Sequence, residues 1–425
     1  MVSRVFSHFL EFGLANAACG RSKSGVVGLG EELTRFHNLL WLTREQLRCF
    51  GQSTPFTLCS GFKDSIYFKI PYDGKIDLQE LCLNDINLPC HKFNAAQLSE
   101  VHMPRAVLPY SDFSDASLDY ANFSFAKMEQ CNFSRSLLPS TNFSNANLEG
   151  SHFDDALLKY TNFRGANLTG VHFDHADISC ADFSGAILDN ASFSGAVIEN
   201  TIFDRASLQH ANLSNQDIKS SSFKSSVLIG ASFENSRVSS DTSMENADMQ
   251  SCNLLSSDFT NVNFVCANLE SAQIIDAHLQ GCNLDEANLS RADISSSNLQ
   301  SANLDSTIMK NTIAENTDLS NARLLYTDLR GASLTHAVLS GAKLSRVKAD
   351  KHAFDSSVFD SEDWSHWDIY YPDTVGKHGN HQSVTHDSIL NDLIEVDDDT
   401  HVSLSELELY KEICIEHECP YSDYQ

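Results

Sequence analysis

The sequence predicts an all-β repeat, a solenoid of square coils built from five-residue sides. Three observations carry this. Alanine recurs every five residues at Ala181, Ala186, Ala191 and Ala196, and a large apolar residue follows two places after each. All four prolines of residues 76–355 directly follow such a large residue, and all nine glycines there lie two places after one. From Phe113 to Phe203 every tenth residue is phenylalanine.

Period five is neither the helical nor the strand period. The large residues, termed centres here, fall at every fifth position from Leu78 to Val238. A six-residue interruption follows at 241–246. Centres resume at Met249 and run to Phe354, with Ala314 and Ala349 the weakest. Residues two apart on a strand share a face, so the small residue and the centre both point inward. The remaining positions are mostly Asp, Asn, Ser, Lys and Glu and meet water. The chain must therefore turn within each unit. Proline just after the centre and Gly or Asn next match the central pair of a type II turn, with φ about −60° and then positive. Asn145, Asn190, Asn200 and Asn215 share the glycine slot. Identical corners close a square coil of twenty residues. Ten residues are half a coil, so the phenylalanines should line two opposite inner sides. Leu118, Met128, Leu138 and their successors fill the other two.

The units ANLEG (146–150), ANLTG (166–170), CNLDE (282–286) and TDLRG (327–331) carry a specific signature. The chain resembles the pentapeptide-repeat family, whose pattern is A(D/N)Lxx, over roughly two-thirds of its length. The resemblance implies a right-handed quadrilateral β-helix. About fourteen coils at about 4.8 Å per coil would make a rod roughly 65 Å long.

The ends depart from the repeat, and a solenoid core needs capping. Residues 1–30, rich in Ser, Gly and Ala, are expected to be mobile. Residues 31–75 read as a small helical and strand cap: Leu33, Phe36, Leu39, Leu40 and Leu47 have helical spacing around Trp41, and Thr43 opens a capping box. Residues 76–355 are the array. Residues 356–425 read as an acidic cap with short helices. Trp364, Trp367, Tyr370 and Tyr371 crowd into eight residues there. They read as a plug for the end of the coil and, alternatively, as a partner-binding site.

The net charge is −28. Residues 1–75 carry +3, 76–355 carry −16 and 356–425 carry −15. This argues against direct binding to nucleic acid or anionic membrane. No stretch approaches the roughly 18 apolar residues of a membrane span. His8 and Glu11 interrupt any signal-peptide apolar region, and Cys19 lacks a lipobox leucine upstream. The twelve cysteines have no disulfide-like spacing. Cys131, Cys252 and Cys282 replace small residues and read as core fillers in a reducing compartment.

No catalytic constellation, cofactor site or metal site is expected. Asp and Asn recur by rule before the centres, at Asp112, Asn122, Asn132, Asn142 and Asp182, which makes a surface ladder rather than an acid–base pair. His152 and His172 lie twenty residues apart and should stack on one face. A metal pair is conceivable there, and a solvated ladder is favoured. His378, His381 and His386 lie in a polar loop remote from Cys414 and Cys419, without ligand spacing. No His/Asn motif supports Cys414 as a nucleophile.

Long pentapeptide arrays with distinct non-repeat ends resemble effectors that enteric bacterial pathogens deliver by type III secretion. That resemblance implies a non-catalytic protein-interaction scaffold, made in the bacterial cytoplasm and secreted into a host cell, with residues 1–30 as export segment. Related effectors place a ubiquitin-ligase domain after the repeat. Only about 70 residues follow here, so the chain is expected to hold the recognition part without the ligase. Other family members are acidic rods that mimic DNA and bind gyrase, protecting it from inhibitors. The negative array fits that alternative, and its interspersed Lys and Arg fit it less well.

Overall fold

The computed structural model describes residues 78–350 and 353–357, and the backbone of 368–370. The expected segment 1–30 and cap 31–75 lie outside the described residues, as does the expected cap 356–425 except for 356–357 and the backbone of 368–370. Within the described residues the backbone runs as short parallel strand segments that pair with the segment one coil later, without a helix. Cys82 pairs with His102, His102 with Asn122 and Asn122 with Asn142, so one coil is twenty residues. Four such columns run the length of the array. The first side carries Asn122, Asn142 and Asn162; the second Lys127, Asn147 and Asn167. The third carries Asn132, His152 and His172, and the fourth Leu137, Leu157 and Asp177.

Why five residues suffice for a side follows from the amides, all of which need partners when the chain is packed this closely. In the unit 181–185 the Ala181 N–H closes the preceding corner on the Ile178 carbonyl at 3.0 Å. Asp182 N–H donates back one coil to Thr161, and Phe183 and Gly185 donate forward to Ile202 and Asp204, at 2.7–3.0 Å. The Ser184 N–H has no ladder partner. The Asp182 side chain takes it, at 2.9 Å. This is the physical sense of Asp or Asn before the centre. The same cap joins Ser124 to Asn122 and Ser144 to Asn142, both at 3.0 Å. Proline in the position after the centre has no N–H to satisfy.

Each described corner, save one, has positive φ at its second central residue and only there, as the type II reading requires. Gly185 has φ +66° with open space where a Cβ would sit. At Gly195 a Cβ would meet the His175 ring at 2.4 Å, because the side chain of the coil before folds over the glycine. Non-glycine residues hold φ of about 48–62° at the other corners. The exception is the site of the slip. Met244 is a fully buried centre, so the array resumes there rather than at Met249. The extra residue sits at the corner of 239–241, where Thr242 N–H closes on Ser239 at 2.9 Å and no residue has positive φ. Ser220 and Ser239 donate their hydroxyls to Asp241 and brace the wider turn.

The core is one continuous cluster along the bore. Phe113, Phe133, Phe153, Phe173 and Phe193 stack under the third side with centroids 4.7–5.3 Å apart. Phe123, Phe143, Phe163, Phe183 and Phe203 stack under the opposite first side at 4.9–5.4 Å. Rings of the two columns also meet edge-on, as Phe153 does Phe163 at 5.7 Å. Offset stacks and edge contacts are the favourable aromatic geometries. Where the small inward residue is Thr, Ser or Cys, its proton is used as well. Thr161 donates to Leu138 O at 2.8 Å and Cys282 to Phe259 O at 2.8 Å.

At the distal end, strands lengthen. The paired elements are β1 (Ile198–Glu199), β2 (Asp217–Lys219) and β3 (Arg237–Val238), then β4 (Arg323–Leu325), β5 (Asp328–Leu329), β6 (Lys343–Ala349) and β7 (Asp368–Tyr370). β6 bends around a corner, since it pairs with β4 before Arg346 and with β5 after it. β7, from beyond the repeats, adds in parallel to the open edge of β6.

Phe163 touches four rings, Phe143 and Phe183 in its stack and Phe153 and Phe173 edge-on. Phe163→Ala should therefore cost about 3–5 kcal/mol of unfolding free energy. Chemical denaturation checks this; a cost below about 1 kcal/mol would show that the columns are not what holds the coils together.

Candidate interaction surface

Outward positions repeat every coil, so like residues line up. On the first side Asn142 Nδ2 donates to Asn122 Oδ1 at 3.3 Å and Asn162 to Asn142 at 3.2 Å. Asn167 donates to Asn147 on the second side at 2.9 Å. At the corners Arg105 grips Asp85 with two bonds of 2.7 and 2.8 Å, and Arg135 grips Asp115 likewise at 2.8 Å. The guanidinium beside each holds these two carboxyls below the usual 3.8. Burial opposes ionisation of Asp177, but Ser179 and the Lys159 ammonium outweigh it and lower its pKa. The recurring carboxylates are thus caps and ion-pair partners, which supports the ladder reading over acid–base chemistry.

Apolar residues interrupt this polar pattern: exposed aliphatic residues occur as far as Ile308 and Ile313, and exposed aromatics without a ring partner lie in the proximal coils. Leu137 and Leu157 are bridge partners on the fourth side, 43% and 46% exposed. The corner between the fourth and first sides carries Tyr120 and Tyr160, 65% and 64% exposed, with Ser140 between them in sequence order of coils. Phe125 and Tyr110 stand exposed at the next two corners. All four aromatics have positive φ, in the slot that glycine or asparagine fills at many other corners. Tyr326 occupies the same kind of corner, but Arg346 covers its ring at 5.2 Å and donates to its hydroxyl at 2.8 Å. Among the described residues no ring contact or side-chain hydrogen bond of that kind holds the proximal four. The sequence signal was present, namely a large residue in the glycine slot and leucines twenty apart in a polar slot.

On the third side His152 and His172 stack as expected, rings 4.8 Å apart and 17° from parallel. The structure adds a carboxylate to each: Asp154 lies 3.4 Å from His152 Nδ1 and Asp174 3.6 Å from His172 Nδ1. Trp364, Trp367 and Tyr371 lie outside the described residues. Of Tyr370 only the backbone is described, paired with Lys348 in the β6–β7 ladder. His378, His381, His386, Cys414 and Cys419 also lie outside. Among the described residues no helix is long and apolar enough to cross a membrane.

Comparison with known proteins fits this geometry. Residues 113–183 match the family profile of the pentapeptide repeat region. Residues 166–205, 176–215, 240–275, 272–311 and 315–348 match that of pentapeptide repeats in eight copies. Proteins with these repeats fold as right-handed β-helices. Among solved structures, the chain is similar to HetL of the cyanobacterium Nostoc, a pentapeptide repeat protein involved in heterocyst differentiation regulation. Identity is 22% over 65% of this chain and 92% of that one, with a TM-score of 0.20. It is also similar to a trypsin-treated form of QnrB1, a plasmid-mediated fluoroquinolone resistance protein. There identity is 15% over 58% of this chain and 90% of that one, with a TM-score of 0.23. Rfr23 of the cyanobacterium Cyanothece is 20% identical over 30% of this chain and 91% of its own, with a TM-score of 0.18. Among curated proteins none matches the sequence.

The core-filler reading of the cysteines has a direct check. Burial pushes the thiols of Cys131, Cys252 and Cys282 up to about 12, while Cys82 and Cys90 are exposed. Only the thiolate reacts with alkylating reagents. Peptide-resolved alkylation at about pH 8, near the ordinary cysteine pKa, should modify Cys82 and Cys90 in the folded protein. It should reach the buried three only after denaturation. Native labelling of Cys131 would contradict the packed bore.

Proposed function

Because its repeat array belongs to the pentapeptide-repeat family, we propose that this protein is a non-catalytic scaffold that binds a protein partner through the apolar strip where its fourth and first sides meet. The observation that carries the reading is the group of Leu137, Leu157, Tyr120 and Tyr160, which brings two exposed aromatic and two exposed aliphatic side chains to one corner of the rod. Aromatic anchors dominate protein interfaces. On a backbone locked coil to coil they bind at little ordering cost. The Lys159–Asp177 pair at 3.2 Å and the Arg135–Asp115 pair supply a polar rim. The cluster of Trp364, Trp367, Tyr370 and Tyr371 is a second contact region of the same chemistry.

The setting we propose is that of a secreted bacterial effector whose partner is a host protein. It is supported by the Ser-, Gly- and Ala-rich residues 1–30 and by non-repeat segments on both flanks of the array. A translocation assay with residues 1–30 fused to a reporter should show export; no export removes the effector setting and leaves the scaffold reading standing. One observation favours a second reading. The net charge of −16 over residues 76–355 suits an acidic DNA mimic that binds gyrase. Supercoiling by gyrase that is unaltered at micromolar protein removes that reading.

A photo-crosslinker at position 160 should capture a discrete partner in host-cell extract. Leu137→Ser with Leu157→Ser should abolish the adduct while changing stability by no more than about 0.5–1 kcal/mol, as exposed substitutions do. An adduct that survives the double substitution would move the interface elsewhere on the rod.

A further inference from the structure

We propose that His152 and His172, with the Asp154 carboxylate beside them, form a solvent-open site for a divalent transition-metal ion of the zinc type on the third side of the rod. One donor atom from each residue lies within 4.8 Å of the others. This is the one group of three or more His, Cys, Asp and Glu side chains among the described residues that meets that spacing. Zinc holds its nitrogen and carboxylate ligands at about 2.0–2.2 Å, so donors around one ion sit about 3.3 Å apart. The gap left to close is about 1.5 Å by that geometry, within the reach of side-chain rotation at half-exposed positions. The rings now lie nearly parallel, so one imidazole turns to bring the two lone pairs together.

The backbone cannot drift while this happens. His152 and His172 are direct bridge partners. Beneath them Phe153 and Phe173 are fully buried and stacked at 5.3 Å. Asp174 is fixed too, since it accepts from the Ser192 hydroxyl and the Ser194 N–H. At 3.6 Å from His172 Nδ1 it suits the outer role of orienting that ring.

Electrostatics point the same way. Elsewhere on the rod the carboxylates of Asp85, Asp115, Asp177 and Asp182 have Arg or Lys partners. Among the described residues the ion pairs of Asp154 and Asp174 are to the histidines. The two carboxylates beside the imidazoles supply negative charge that a divalent ion would balance. Two nitrogens and one oxygen select zinc, copper(II) or nickel over calcium and magnesium, which favour all-oxygen sets. Three protein ligands leave a coordination position open to water or to a donor group on a partner.

The test is calorimetric titration of ZnCl2 into the chelator-stripped full chain. Histidines and cysteines outside the described residues can bind zinc as well, so the reading is a difference between proteins. The wild type should bind one more equivalent than His152→Gln/His172→Gln. Asp154→Asn, which keeps both imidazoles, should weaken that equivalent by tenfold or more. His175→Gln, at a corner off the site, should leave it unchanged. Equal stoichiometry and affinity in the wild type and the double variant overturns the proposal, as does absence of binding to both. If the double variant fails to fold, Asp154→Asn decides alone: zinc affinity unchanged from wild type overturns it.

Discussion

The structure rests on one backbone constraint, the left-handed residue that ends every five-residue side but one. It turns the chain sharply enough that the next side begins at once, and it returns the following N–H to the carbonyl of the centre. Ala186 N–H on Phe183 O is one instance of many. Most of these corners are not glycine. A left-handed non-glycine residue costs on the order of 1–2 kcal/mol before compensation, less for Asn and Asp. The array accepts that cost because the corner makes possible two larger gains. Each centre enters a dry bore, and most of the remaining amides find a carbonyl one coil away or an Asx oxygen of the same or the preceding coil.

Coupling between coils follows from the same geometry. A coil alone buries nothing on either side; its phenylalanine needs the ring above and the ring below. Stability in such arrays is a sum over neighbouring repeats, and the two phenylalanine columns make those neighbour terms large between residues 93 and 223. Beyond Met249 the bore is filled mainly by Leu, Ile, Ala and Met, with Phe259 and Phe264 early in that half. There the strands near the distal end lengthen and β7 covers the edge of β6, so backbone pairing does more of the work that ring stacking does proximally.

Much of this was legible in the sequence because it is local and repeated. Pro89, Pro104, Pro109 and Pro139 with the glycines gave away the turn type. The ten-residue spacing from Phe113 to Phe203 gave away the two columns. The slip lies one unit earlier than the spacing suggests, since Met244 follows the polar Thr242 and Ser243 and does not announce itself as a centre. The capping role of Asp182 or Asn142 was not legible either. Which amide lacks a ladder partner is decided by coil stacking, and no spacing along the chain encodes it. The histidine stack was visible at a twenty-residue interval, whereas the value of Asp154 and Asp174 beside it depends on how side chains lean across one strand.

A regular scaffold makes its departures interpretable, because the duty of each slot is known. A tyrosine in a corner slot pays left-handed strain and buries no ring in the bore, so the fold has no use for it. At Tyr326 a partner exists: Arg346 lies over the ring and bonds the hydroxyl. At Tyr110, Tyr120, Phe125 and Tyr160 the rings face water, and Leu137 and Leu157 stand in a slot that most often holds a polar residue. Bulky residues at positive φ are outliers that call for a reason. Stability gives none here, because glycine or asparagine at the corners would be less strained. The reason that remains is what the surface presents to another molecule, and the exposed aromatics without a ring partner all lie in the proximal coils, whereas exposed aliphatic residues such as Ile308 and Ile313 occur distally as well.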